Sequence, residues 1–239
     1  YLEVLIISLE RVFAYTPSFR AEKSRTPKHV TEYWHLEQEA AFYDNEDNMR
    51  FQEEMVSYVC QKMAEEQEDL LRELGRAPGD LKKVKPPFYR LTYDEALEKL
   101  REEGVEKEWG DDLGAEDEYT LTKGLEKPLF VWRWPKAVKP FYMKLDPQNE
   151  EYVLNDDLQA PEGHSEIIGG SQRIHDYDEL MQRIQEEGMD PRAYEWYVDL
   201  RKYGSVPHSG FGLGTERLLK WMLNLEHIRD AIPFPRTPR

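Results

Sequence analysis

Phe19-Arg20-Ala21-Glu22-Lys23-Ser24, at the end of one apolar run, is answered near the other end of the chain by Gly210-Phe211-Gly212-Leu213-Gly214-Thr215-Glu216-Arg217, which opens another. Each stretch puts an arginine just past a strand-like segment. An arginine after an apolar strand, and a second after a glycine-rich strand, are two ways to hold a triphosphate. Shortly after the first comes Glu32-Tyr33-Trp34-His35-Leu36-Glu37-Gln38-Glu39, which reads as the start of a returning strand.

Working outward, 2–9 is apolar and long enough for two helical turns. Arg11–Arg20 and 32–43 read as the strands of a long hairpin, joined by a polar, proline-containing loop at 24–31. Met49, Met55, Val56, Val59, Cys60 and Met63 recur at helical spacing, so 46–74 reads as a helix ended by Gly75 and Pro78-Gly79. Thr92 or Asp94 caps a helix over 94–103. Segments 128–134 and 139–145 read as strands around Pro135, and Glu166–Ile174 as another. Tyr177–Glu187 and Pro191–Tyr203 are helical, Ser209–Leu213 is a strand and 215–225 the final helix. Strands at both ends with helices inserted between them argue for an α+β fold on an antiparallel β-sheet flanked by helices.

The chain has 239 residues, enough for one substantial domain, and no run nears the ~20 apolar residues that cross a bilayer. A single cysteine, Cys60, excludes an internal disulfide and a multi-thiolate zinc site, and points to a reducing, cytoplasmic setting. It lies on an apolar helical face and reads as inert. The net charge of −16 is awkward for a partner of RNA. The acidic residues cluster at 44–54, 65–73 and 102–118, which read as solvated faces, while Arg20, Lys23, Arg25 and Lys28 concentrate in one loop. The chain begins at Tyr1 rather than methionine, and the expectation is a fragment lacking its front half.

Arg20 and Glu22 share a strand face, since side chains repeat every second residue. Arg20 can clamp an α-phosphate, Glu22 can accept from an adenine amine, and Tyr33 can stack beneath the base. Gly210, Gly212 and Gly214 bare one strand face for a flat nucleotide. Arg217, in the first turn of the next helix, can reach a terminal phosphate. Asp157 and Glu166 supply hard oxygens suited to Mg²⁺, with Asp156 a close competitor. His29 can help at the pyrophosphate end, and the other histidines show no metal-ligand spacing, most of them reading as packing or surface residues. No nucleophile constellation is visible.

Beyond these stretches, Trp109-Gly110-Asp111-Asp112-Leu113, Lys139-Pro140-Phe141-Tyr142-Met143-Lys144, Glu166-Ile167-Ile168-Gly169-Gly170-Ser171-Gln172-Arg173 and the tail through Pro207-His208-Ser209-Gly210 to Pro233-Phe234-Pro235-Arg236 carry a resemblance. The chain resembles the class II aminoacyl-tRNA synthetases, with motif 2 at the first quoted stretch and motif 3 at the second. Within them it is similar to the aspartate/asparagine/lysine subgroup, and most of all to the asparaginyl-tRNA synthetases. The resemblance implies a class II catalytic domain over 1–239, an asparagine–tRNA ligase that uses ATP, asparagine and tRNA(Asn), with Mg²⁺ as cofactor, a homodimer and no membrane partner. It implies Arg20 and Arg217 as the catalytic arginines on the α- and terminal phosphates. Glu22, His29, Tyr33, Gly212 and Gly214 belong with them as ATP contacts, and Asp157 and Glu166 as metal ligands. Glu37 matches the residue that holds the substrate α-ammonium, and Arg173 the one that meets its side-chain oxygen.

Glu3 matches the position where asparagine enzymes carry glutamate, in Gln-Leu-Tyr-Leu-Glu, and aspartate enzymes carry lysine. A carboxylate there accepts the amide N–H of asparagine and repels aspartate, so a lysine at position 3 is expected to favour aspartate. Motif 1, the N-terminal OB-fold that reads the anticodon, and the pocket glutamine before Tyr1 are not in this sequence. Two other readings remain at this point. One is a stand-alone asparagine synthetase related to the family, which amidates activated aspartate. The other is an inactive truncated homologue acting as a binding module.

Overall fold

The hairpin expected between 11 and 43 forms one edge of a seven-stranded sheet in the computed structural model, which describes residues 1–21 and 26–237. Helix α1 (Leu2–Leu9) leads into β1 (Arg11–Phe19), which pairs antiparallel with β2 (Glu32–Ala41) from Arg11↔Ala40 to Phe19↔Glu32. Helix α2 (Asn45–Glu66) opens on a capping box in which Asp44 accepts from the Asp47 N–H. Two short helices follow, α3 (Glu68–Glu73) and α4 (Pro78–Lys82), and then β3 (Tyr89–Thr92). Thr92, with Glu95, caps α5 (Tyr93–Glu102), so of the two expected caps it is Thr92 that serves. The chain continues through α6 (Ala115–Thr122), β4 (Leu129–Trp132), β5 (Asn155–Gln159), β6 (Glu166–Gln172), α7 (Tyr177–Glu186), α8 (Glu195–Lys202), β7 (His208–Gly214) and α9 (Thr215–Met222).

The sheet order is β1-β2-β7-β6-β5-β4-β3. Every neighbouring pair is antiparallel except β3 and β4, so the α+β architecture holds and the sheet is mixed at one edge. On the back, α2 sets Met49, Val56 and Cys60 against Ile168, Phe211 and Leu213, and α9 closes the same core with Trp221 and Met222. Each such side chain contributes roughly 1.5–3 kcal/mol on burial. Burial pushes the Cys60 thiol up to about 12, in keeping with an inert cysteine. A second core under α5 and α6 includes Leu97, Leu100, Leu121 and Val131.

Several expectations need correction. Residues 139–145 are not a strand; isolated bridges at Met143↔Arg173 and Leu145↔Val153 tie this irregular segment to its neighbours. Pro140 and the turn at 140–143 prevent a continuous ladder. Strands β3 and β5 and helix α6 were not foreseen, because their polar or short sequences carry little periodicity. The helix expected over 46–74 breaks at Gln67. The acidic runs are not wholly solvated either. Glu53 is buried and accepts from the Phe88 N–H, and Asp117 and Glu118 are buried in α6.

Asp156 and Asp157 point to opposite faces of β5. Asp156 faces α2, fully buried, where Asn48 and Gln52 donate to it at 2.8–3.2 Å. A Cβ on Gly170 would overlap its carboxylate, so the neighbouring strand must be bare there. Asp156 is therefore a structural acid and not a competitor for a metal. Burial pushes its carboxyl up to about 8, against the opposing amide hydrogen bonds. A raised acid holds more proton folded than unfolded, so stability falls as pH rises from about 4 towards about 8. Asp156→Asn is expected to flatten that slope and to be the more stable chain above about pH 8. Urea melts across the pH range check this; an unchanged slope would place the ionised form in the folded chain.

Candidate active site

The front face of the sheet carries a row of residues in register. Glu37 on β2 pairs with Gly212 on β7, Gly212 with Gly169 on β6, and Gly169 with Asp157 on β5. Neighbouring strands lie about 4.8 Å apart, so two carboxylate positions flank a bare glycine floor. The alternation of β2 puts Tyr33, His35, Glu37 and Glu39 on this same face, and all four line a cavity of about 490 Å³. A cavity of about 340 Å³ adjoins it and shares Lys139, Asp157 and Glu166.

At one end of this surface stand the expected phosphate groups. Arg20 donates to the Tyr33 hydroxyl at 2.9 Å, and its guanidinium lies 4.8 Å from the ring centroid. The Tyr33 face expected beneath adenine thus carries Arg20. Arg217, in the first turn of α9, donates through Nη1 to the Glu166 carbonyl at 3.0 Å and its carboxylate at 3.1 Å. Lys139 pairs with Asp157, and its Nζ sits 3.9 Å over the Trp134 ring. Lys28 pairs with Glu118. His29 lines the same cavity, hydrogen-bonded to Thr26. Three cations facing one cavity therefore each rest on a carboxylate, an arrangement a polyphosphate can enter by exchanging partners.

Asp157 and Glu166 come together as expected. A Cβ on Gly169 would lie 3.9 Å from an oxygen of each, so the glycine opens the space between them. Burial pushes Asp157 up to about 6, with Lys139 opposing and Glu166 reinforcing. Among the described residues no group of three or more His, Cys, Asp or Glu is arranged around a metal position. Two hard carboxylates beside a bare floor fit a cation that takes its remaining ligands from phosphate and water.

The other end of the large cavity holds the expected side-chain pocket. Arg173 lies buried and donates to Glu39 through Nε at 3.0 Å and Nη2 at 2.6 Å, and to Ser171 at 2.6 Å. Burial alone would lower its pKa, but Glu39 and Glu3 outweigh that and hold it raised, so Arg173 stays charged. Glu3 is not a helix-surface residue. Its carboxylate takes hydrogen bonds from Tyr197 at 2.9 Å, Arg201 at 2.6 Å and His208 Nε2 at 2.7 Å. Burial would raise Glu3; the His208 hydrogen bond and the charges of Arg201 and Arg173 reverse this and hold it well below the usual carboxylate range. An ionised acceptor and a charged donor thus face one pocket, which suits a carboxamide.

Glu22 lies outside the described residues. The glycine stripe is only partly open. A Cβ on Gly212 would meet the His35 ring, and one on Gly210 would overlap Glu39. His35 was not singled out as a site residue, yet it lines the site; burial lowers its pKa and favours the neutral imidazole, with Glu37 opposing. Glu39, Lys28, Glu118, Lys139 and His208 were also missed. Period-two alternation from Glu37 would have found Glu39, and adjacency to His29 would have found Lys28. Glu118 and Lys139 had no local signal.

A model for class II tRNA synthetases (D, K and N) matches residues 1–238. The asparagine–tRNA ligase of Thermoplasma acidophilum is 56% identical over 239 residues, covering all of this chain and 56% of that protein. The crystal structure of asparaginyl-tRNA synthetase from Pyrococcus horikoshii complexed with asparaginyl-adenylate superposes with a TM-score of 0.97 at 57% identity, over all of this chain and 55% of that one. The aspartyl-tRNA synthetase of Entamoeba histolytica is more distant, at a TM-score of 0.87 and 30% identity over 99% of this chain and 50% of that one. The chain spans about half the length of the relatives it matches. On the match across 1–238 and the fold it shares with these enzymes, the chain belongs to the class II tRNA synthetases of the D, K and N group.

Proposed function

We propose that this chain is the catalytic domain of an asparagine–tRNA ligase, which joins asparagine to ATP as asparaginyl-adenylate and passes the asparaginyl group to tRNA(Asn). One observation carries the reading. A pocket with a charged donor, Arg173, and an ionised acceptor, Glu3, is continuous with a cation-lined phosphate end across the Gly169–Gly212 floor. The similar proteins named as asparagine enzymes support it.

Asparagine sits with its side-chain oxygen on Arg173, its amide N–H on Glu3 and its α-ammonium on Glu37. ATP lies with its α-phosphate on Arg20 and its terminal phosphates on Arg217, His29 and Lys28. Arg20 leaves the Tyr33 ring for phosphate, and adenine takes its place, with Glu22 as a further base contact. An asparagine carboxylate oxygen attacks the α-phosphorus, the bond to the β-phosphate oxygen breaks, and pyrophosphate leaves. A terminal ribose hydroxyl of tRNA then attacks the acyl carbon, and AMP leaves. No protein nucleophile is needed; the chain positions reactants and offsets charge. Asp157 and Glu166 would hold Mg²⁺, which when bound supplies charge neutralisation at the phosphates.

Val4, Leu5, Ile7 and Leu9 of α1 and Phe13, Tyr15 and Phe19 of β1 are exposed apolar residues. They mark a surface where further chain or a second subunit packs, and light scattering of a protein of the relatives' full length is expected to read a homodimer rather than a monomer. Among the described residues no helix is long and apolar enough to cross a membrane, and the reaction is assigned to the cytoplasm, which subcellular fractionation tests. The central test is pyrophosphate exchange by a protein of the relatives' full length, with asparagine and aspartate in parallel. Exchange is expected with asparagine and little with aspartate; exchange with aspartate alone, or with neither, would overturn the assignment.

A further inference from the structure

The acidic stretch that ends at Glu118 has no part in the chemistry above, yet one of its carboxylates reaches the site. The Glu118 side chain is 6% exposed and that of Lys28 is 15% exposed. The two are 90 residues apart in sequence, one on α6 and the other on the segment between the hairpin strands. Helix α6 is itself firmly seated. One turn beyond Glu118, the Thr122 hydroxyl donates to the Glu118 carbonyl at 2.7 Å and to the His164 carbonyl at 3.0 Å. His164 lies two residues before Glu166, so Glu118 is held at a set place relative to Glu166 and Arg217.

The segment 26–31 has neither helix nor strand, and its Val30 is buried. Its backbone reaches the C-terminal region through Ile228 N to Pro27 O at 3.0 Å and Thr31 N to Arg236 O at 2.7 Å. The Lys28–Glu118 pair ties its tip to α6 on the other side of the 340 Å³ cavity.

We propose that Glu118 is a positioning residue for the nucleotide: it holds Lys28 at the wall of the phosphate cavity through an ion pair between α6 and the 26–31 segment. This rests on the reading of that cavity as an ATP site. A buried ion pair adds little stability compared with apolar packing, so its retention here is better explained by placement of the charge. An ammonium has three donors. Glu118 takes one, and among the described residues no other partner takes the rest, so Lys28 can bridge carboxylate and phosphate together. Burial pushes Glu118 up to about 7, with Lys28 and then Arg217 opposing and Glu166 reinforcing.

The test is calorimetric titration of the full chain, residues 1–239, with ATP and Mg²⁺. Glu118→Gln and Lys28→Ala are each expected to weaken ATP binding by about 10-fold or more, the scale of a charge-assisted hydrogen bond. The double variant should bind no more weakly than Lys28→Ala alone, because Glu118 acts only through Lys28. The exchanged chain, Lys28→Glu with Glu118→Lys, restores a tie but puts an anion at the cavity wall, and is expected to bind ATP poorly while melting within a few degrees of the parent. Effects that multiply in the double variant, parent-like binding by Glu118→Gln, or parent-like binding by the exchanged chain would each overturn the inference. Loss of ATP binding already in the parent chain would instead overturn the nucleotide reading beneath it.

Discussion

Arg20→Ala and Arg217→Ala, made in a protein of the relatives' full length, each lower asparagine-dependent pyrophosphate exchange by about 10²–10³-fold or more. Each removes a preorganised charge from a group whose negative charge grows in the transition state, worth on the order of 3–4 kcal/mol in such sites. The two losses have different structural accompaniments. Arg20 is exposed and rests on the Tyr33 ring, so its removal leaves the fold intact and frees that ring. Arg217 neutralises Glu166, so its removal leaves that carboxylate unpaired across Gly169 from Asp157. Arg217→Ala is therefore also expected to change the Mg²⁺ concentration needed for any residual exchange, whereas Arg20→Ala should not. Arg217→Lys keeps the charge but loses the planar guanidinium, whose Nη1 reaches both the Glu166 carbonyl and carboxylate, and should recover only part of the rate. Exchange at the parent rate by either alanine variant, with a parent-like melting temperature, would sink the assigned roles.

Substitution at Glu3 decides which amino acid is activated. Asparagine and aspartate are nearly equal in size, so charge and donor pattern must separate them. Glu3→Gln removes the repulsion of aspartate, and the preference for asparagine is expected to fall by roughly 10–100-fold, mainly through a gain with aspartate. The structure changes the expectation for Glu3→Lys. From sequence, a lysine should favour aspartate. In the folded chain the position is already surrounded by Arg201, His208 and the charge of Arg173. An ammonium there meets like charge, so Glu3→Lys alone should lose exchange with both amino acids by at least about 10²-fold. Restoring aspartate activity needs the second change Arg201→Glu, which returns a partner to the pocket. The measurement is kcat/KM for each amino acid in pyrophosphate exchange. An undiminished asparagine preference in Glu3→Gln would show that Glu3 merely anchors α1 to α8.

The elements that position the site were legible where their signals are local. Glycine at 210, 212 and 214 marks a bare strand face, helical spacing of apolar residues marks α2, and two arginines past strand ends mark the phosphate side. The candidate metal-binding carboxylates were half legible. Two adjacent acids, Asp156 and Asp157, cannot both face the cavity, because successive strand residues alternate. Which one does is set by the register of β5 on β6, and that register follows from packing Asn48 and Gln52 of α2 against the back of the sheet.

The chain's own sequence determined its family, its hairpin and the types of charge brought to the phosphates. Tertiary structure alone decided how those charges are held: Glu3 by His208 and Arg201 some 200 residues away, Arg173 by Glu39, and Lys28 by Glu118. The physical reason is range. Turn residues, periodicity and alternation act over a few positions and leave a mark in the sequence. An ion pair across the fold requires only that two opposite charges end at one place, and any acid in a run such as 102–118 looks alike until burial selects one.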